Sequence, residues 1–243
     1  MPRSARLLAA RGKPGYRSGM STKRDTAAET IWAAELTDEE LDRARRGLTE
    51  RTFSKGSYIC HRGDRLDHWT GVTEGLIKIS AISAAGKAMT FAGVTDGGWF
   101  GEGSVLKNEP RQYDVVAIRD TRLAMLSRSS FLWLFENSTG FNRFLVRQLN
   151  ERMGQFIATI EYDRILGPTA RVARNLSWFF NRTLYPRAGT TIEISQEELG
   201  LLAGVSRQVV NRALRALEEE GLLKAEHGRI TVVDAGALSH YES

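Results

Sequence analysis

A single cysteine, Cys60, in 243 residues leaves no partner for an internal disulfide and too few ligands for a zinc site or an iron–sulfur cluster. Histidine is scarce too. Of the four, only His61 and His68 fall in the glycine-rich stretch that reads as β structure, and no His-x-His arrangement supplies a metal. Serine, histidine and aspartate all occur without a motif that sets a nucleophile beside its base, so no enzymatic activity is expected. The Cys60-His61 pair can approach a haem iron, yet a lone cysteine in a β-prone segment reads as a small buried side chain, and neither haem nor metal is expected. No apolar run approaches the ~20 residues that span a bilayer, which excludes a membrane partner. Such thiol usage suits the reducing cytoplasm.

Acidic residues are missing from two stretches. Residues 1–24 hold seven Lys and Arg but no Asp or Glu, and they lack the apolar centre of a signal peptide, so residues 1–27 read as a disordered basic tail. It is either plainly solvated or a source of nonspecific attraction to phosphates. Its seven charges exceed the chain's net +5, so the remainder is slightly acidic and the overall charge does not locate a polyanion-binding surface.

The second acid-free stretch, 206–217, is different in kind, because the sequence around it, SQEELGLLAGVSRQVVNRALRAL, writes two amphipathic helices about a turn. Ser195 and Glu198 have the spacing of a capping box that starts a helix at Gln196. Gly204 sits where the chain must bend, and Ser206 caps a second helix over about 207–217. Val210, Ala213, Leu214 and Leu217 would bury one stripe, leaving Arg207, Gln208, Asn211, Arg212 and Arg215 outside. Arginine forks onto guanine, and Gln or Asn onto adenine, so this face suits the major groove of double-stranded DNA. Two β-prone runs about His227-Gly228 then form a wing that would set Arg229 or Lys224 beside the phosphate backbone.

Between residues 53 and 131 short β-prone runs alternate with glycine, the texture of an all-β barrel or roll. Residues 73–80 read as one half-buried strand and 115–125 as two. Within this half Glu102, flanked by Gly101 and Gly103, precedes Arg111 and Gln112. A carboxylate and a cation so placed can accept from a ribose hydroxyl and hold a phosphate, or can be a turn and a surface arginine. Next, 142–164 lacks proline, and Val146, Leu149, Met153, Phe156 and Ile160 recur at spacings of 3, 4, 3 and 4. This heptad seam points either to a helix packed on its own roll or to pairing of two subunits, and pairing would align two recognition helices on a palindromic site. Gly167-Pro168 breaks the helix. Residues 182–190 read as an exposed loop, either a connector or a contact surface.

The expected architecture is therefore α+β: a β-roll over 28–137, a dimerisation helix over 138–166 and a winged helix-turn-helix over 167–243. This order resembles the Crp/Fnr family of bacterial transcription regulators across about 28–235. The local matches are Phe53-Ser54-Lys55-Gly56, Gly63-Asp64 followed by Gly75, Gly101-Glu102, and Val205-Ser206-Arg207-Gln208-Val209-Val210-Asn211-Arg212. The resemblance implies that the roll is a sensory double-stranded β-helix, a cyclic-nucleotide-binding-like domain, and it implies a homodimer that binds DNA near promoters and recruits or blocks RNA polymerase, with Arg207, Gln208 and Arg212 at base-reading positions. Three departures stand out. Arg111 is followed by Gln112 and Tyr113 rather than a small hydroxyl residue. Phe156 and Ile157 stand where cyclic-AMP-responsive members grip adenine with hydroxyls, and Gln208 replaces a glutamate. Cyclic AMP, cyclic di-GMP, another small molecule and no ligand all stay open, as does a nucleotide-binding module with a non-transcriptional output.

Overall fold

Gly75 divides the expected strand 73–80 in two. Its φ of 114° lies in the left-handed region, and a Cβ there would come within 2.6 Å of Thr121 Oγ1 and 2.7 Å of the Asp120 carbonyl, so glycine makes the corner. In the computed structural model, which describes residues 30–242, the two halves belong to different sheets. The expected basic tail, 1–27, lies outside the described residues.

The described chain opens on a 3₁₀ turn, Ala33–Glu35, and helix α1 (Asp38–Gly47), started by a reciprocal capping box between Thr37 and Glu40. The strands that follow are β1 (Leu48–Phe53), β2 (Tyr58–Cys60), β3 (His68–Glu74), β4 (Leu76–Ile82), β5 (Ala88–Thr95), β6 (Trp99–Phe100), β7 (Asp114–Ala117) and β8 (Thr121–Ser127), with a short helix α2 (Glu102–Lys107) between β6 and β7. They make two four-stranded antiparallel sheets, ordered β1-β8-β3-β6 and β2-β7-β4-β5. Alternation along each strand sends Val72, Ile77, Ile79, Val115, Leu123 and Met125 into one core between the sheets. This is the β-roll.

A second core closes one side of the roll. Trp32 from the leading segment, Trp69 and Trp99 from the roll, Phe131 from α3 (Arg128–Asn137) and Phe141 from α4 (Thr139–Ile165) form an aromatic box with ring centroids 4.2 to 6.0 Å apart, mostly edge to face. Gly71 lies beneath it, and a Cβ there would overlap the Trp99 indole. Gly71→Ala is expected to lower stability by ~1–3 kcal/mol through overpacking, seen as a fall in the thermal midpoint; an unchanged melt would show that the box can yield.

Helix α4 has 27 residues, about 40 Å at the ordinary rise per residue. Ser138 caps it by accepting from the Phe141 amide. One face is buried against the protein through Phe141, Phe144, Leu145, Gln148, Arg152 and Gln155. The opposite face carries the heptad seam, and Val146, Leu149, Met153, Phe156 and Ile160 are 40 to 66% exposed. The alternative use of the seam, packing on its own roll, is therefore not what the chain does.

At the hinge α4 stops after Ile165, and Pro168 opens α5 (Pro168–Ser177) from its first position, where a missing N–H costs nothing. Beyond a 3₁₀ turn (Trp178–Phe180) come β9 (Thr191–Ile192), α6 (Gln196–Ala203), α7 (Arg207–Glu219), β10 (Leu223–Glu226), β11 (Arg229–Val232) and α8 (Ala235–Ser239). Val172, Leu176, Leu199, Val210, Leu214 and Ile230 share the core of this half.

Candidate nucleic-acid interface and effector site

Ser195 Oγ accepts from the Glu198 amide at 3.1 Å and starts α6, but the expected return bond from Glu198 is not made. Both Glu198 oxygens instead take the Lys78 ammonium of β4 at 3.0 Å, because a largely sheltered cation is a stronger partner than a neutral amide. Gly204, at φ 64°, makes the turn, and Gly200 leaves room for the crossing, since a Cβ there would lie 2.7 Å from the Val205 carbonyl. Ser206 Oγ then accepts from the Val209 amide at 3.4 Å.

Helix α7 extends two residues past the expected end, burying Val210, Ala213, Leu214 and Leu217. Arg207, Gln208, Arg212 and Arg215 are exposed and have no hydrogen-bond or ion-pair partner among the described residues. Asn211 is half-buried, its amide 3.5 Å from Gln196 Oε1. Arg207, Asn211 and Arg215 line a groove of about 630 Å³ whose other wall is the wing at Glu226, His227 and Gly228. Among the wing residues, Arg229 pairs with Glu193 at 3.4 Å, and the same carboxylate takes Arg119 of the roll at 2.9 Å.

Of the expected effector residues, Gly101, Glu102 and Arg111 come together where β6 gives way to α2. Gly101, at φ 91°, ends the strand, and a Cβ on it would overlap the Arg111 guanidinium. Arg111 is 1% exposed, and one of its nitrogens donates to the His68 carbonyl at 3.2 Å. Its Nε and Nη1, and Glu102 Oε2, are buried without a hydrogen-bond partner. A buried cation and a buried carboxylate oxygen with unused bonding capacity are what a phosphate and a sugar hydroxyl would complete. Gly103 lies in the first turn of α2 with open space around it, and Gln112 is exposed, its amide donating to the Pro110 carbonyl at 3.1 Å. Phe156 lies on the outward seam of α4, whereas its neighbour Gln155 is buried.

Cys60 is buried, and burial pushes its thiol up to about 11, leaving it inert at neutral pH. His61 stacks on Tyr58 with ring centroids 4.1 Å apart. Among the described residues no cluster of three or more His, Cys, Asp or Glu is placed to hold a metal ion, and no helix is long and apolar enough to cross a membrane.

The cyclic nucleotide-binding domain family matches residues 50–138, and the Crp-like helix-turn-helix domain family matches 170–241. The cyclic AMP receptor protein of Thermus thermophilus is 30% identical over 203 residues, covering 84% of this chain and 92% of that protein. The chain belongs to the Crp/Fnr family. It is a DNA-binding transcription regulator whose control lies in the roll. The cAMP-activated global transcriptional regulator Vfr of Pseudomonas aeruginosa is 26% identical over 204 residues, 80% of this chain and 94% of Vfr. FixK2 from Bradyrhizobium japonicum shares the fold, with a TM-score of 0.67 at 18% identity over 81% of this chain and 98% of that one.

Two features of this Crp/Fnr regulator escaped the sequence reading. Arg171 of α5 donates to the Ala203 and Gly204 carbonyls at 2.7 and 3.1 Å and to Asp163 of α4 at 2.9 Å, so one guanidinium ties the hinge to the open end of α6. The second is a correction. The loop 182–190 was expected to be exposed, but Leu184 is 1% and Tyr185 0% exposed, packed into the roll core with Val72, Ile79 and Val115. The adjacent apolar pair Leu184-Tyr185 in an otherwise polar, proline- and glycine-containing loop is the signal that could have found it.

Proposed function

We propose that this Crp/Fnr regulator acts in the cytoplasm as a homodimer paired along the α4 seam, placing two α7 helices on successive turns of a palindromic promoter site, near which it meets RNA polymerase. The observation that carries this reading is the α7 face. Four donors suited to base edges stand exposed and unengaged on a helix whose opposite stripe is fully packed. In this reading Arg207, Gln208 and Arg212 read bases, while Ser206, Asn211, Arg215 and Arg229 support phosphate and sugar contacts, Arg229 on leaving Glu193. Arg207→Ala is expected to weaken specific binding by ~1–3 kcal/mol and to relax preference at one base pair per half-site, measured by selection from randomised duplexes; an unchanged preference would remove Arg207 from the reading surface.

We infer further that the effector is a cyclic nucleotide, with Arg111 holding its phosphate and Glu102 accepting from its ribose. Support comes from the unused polar atoms of both side chains and from the names of the Thermus and Pseudomonas relatives. Cyclic AMP and cyclic di-GMP are the two candidates. Calorimetric titration of the full chain with each decides between them, and heat from neither would refute a cyclic nucleotide.

A further inference from the structure

Resting on the reading of Arg111 and Glu102 as nucleotide ligands, we propose that residues 181–190 of the DNA-binding half are a built-in competitor for the effector. Leu184 and Tyr185 fill the interior of the roll, loop and nucleotide exclude one another, and nucleotide entry releases the helix-turn-helix from the roll.

The loop is shaped for that position. Asn181 Oδ1 accepts from the Thr183 and Leu184 amides at 3.0 and 2.9 Å, folding the chain back on itself, and Asn181 Nδ2 donates to Glu151 of α4 at 2.6 Å. This presents Leu184 and Tyr185 to a core drawn from both sheets, among them Ile77, Ile79, Val94 and Val115. The phenol is fully engaged, donating to the Gly93 carbonyl of β5 at 2.8 Å and accepting from Arg152 of α4 at 2.7 Å. Arg152 also lies over the Tyr185 ring, 5.6 Å from its centroid. The roll makes room for the ring, since a Cβ on Gly98 would come within 2.7 Å of it. Tyr113, two residues beyond Arg111, packs against the same apolar core that takes Leu184 and Tyr185.

The same half is latched to the roll at three further points. Lys78 pairs with Glu198, Arg119 pairs with Glu193, and Gly93 has no side chain where the Phe179 ring lies against it. Together these hold α6 beside β5. A ligand that takes the interior must expel Tyr185, and its differential affinity for the opened state is what shifts the balance.

The test uses the full chain with Tyr185→Phe, which keeps the ring and so the packing, and Tyr185→Ala. Two quantities are measured: titration with cyclic AMP and cyclic di-GMP, and nucleotide-free affinity for an operator selected from randomised duplexes. Tyr185→Ala is expected to bind nucleotide about tenfold more tightly than wild type and to gain operator affinity without ligand, with Tyr185→Phe between the two. Amide hydrogen exchange over 183–188 should accelerate in the wild-type chain when nucleotide binds. Equal affinities in all three proteins, or nucleotide bound with 183–188 still protected, would overturn the loop's role and leave the Arg111 and Glu102 reading intact. If no nucleotide binds any of the three, the effector reading fails separately. The loop's restraint then stands if the variants gain nucleotide-free operator affinity and falls if they do not.

Discussion

Replacing Leu149 and Met153 together by glutamate is expected to leave the protein monomeric and to weaken operator binding by roughly 10²–10⁴-fold. Both side chains lie on the outward seam of α4, 41% and 56% exposed, and neither belongs to a core of its own chain, so the fold of one subunit should survive. In a paired seam the change would bring four carboxylates together across an apolar contact, which is strongly unfavourable without compensating cations. Loss of pairing then removes the second half-site from the reach of the first, and the gain from tethering two binding events is of the size stated. Sedimentation gives the mass and a DNA titration the affinity. A variant that remains dimeric with full affinity would place the subunit contact elsewhere.

Arg111→Met is expected to weaken cyclic-nucleotide binding roughly ten- to hundredfold while leaving the ligand-free protein at least as stable as wild type. Hydrogen bonds to charged groups contribute ~1.5–3 kcal/mol, which sets the size of the binding loss. The stability expectation follows from the protein groups around Arg111. The guanidinium is almost wholly buried, donates to the His68 carbonyl and leaves Nε and Nη1 without a hydrogen-bond partner. Exchanging such a group for an apolar side chain of similar length removes an unfavourable burial rather than a support. Titration and a thermal melt on the same sample separate the two effects. A lower melting point without ligand would show that Arg111 is a structural prop, and unchanged nucleotide binding would remove it from the effector site.

What the sequence discloses is what short-range chemistry controls. Ser195, Gly204, Ser206 and the stripe from Val210 to Leu217 act within a few residues of themselves, so the two helices of the DNA-binding unit are legible down to their caps. The seam on α4 is equally legible because its period is regular over many residues. Elements decided by distant partners are not. Glu198 looks like the second half of a capping box, but its partner, Lys78, is 120 residues away. Helix α2 is hidden because it has six residues, starts at Gly101 without a side-chain cap, and sits in a stretch whose glycines otherwise mark strand ends. Trp32 lies in a short, largely apolar run, Ile31 to Leu36, too brief to show a period, and its role emerges only when Trp69, Trp99 and Phe141 surround it. The loop around Tyr185 has the composition of a surface turn, and only the concave interior of the roll gives its two apolar side chains somewhere to go.

Selection of duplexes by the full chain, with and without cyclic AMP and cyclic di-GMP, followed by the mass of the complex on the enriched sequence, tests the account most directly. It should yield a two-fold symmetric sequence with half-sites one helical turn apart, two chains per duplex, and enrichment that strengthens when the effective nucleotide is present. Failure to enrich any sequence under any of these conditions, or one chain per duplex, would contradict it.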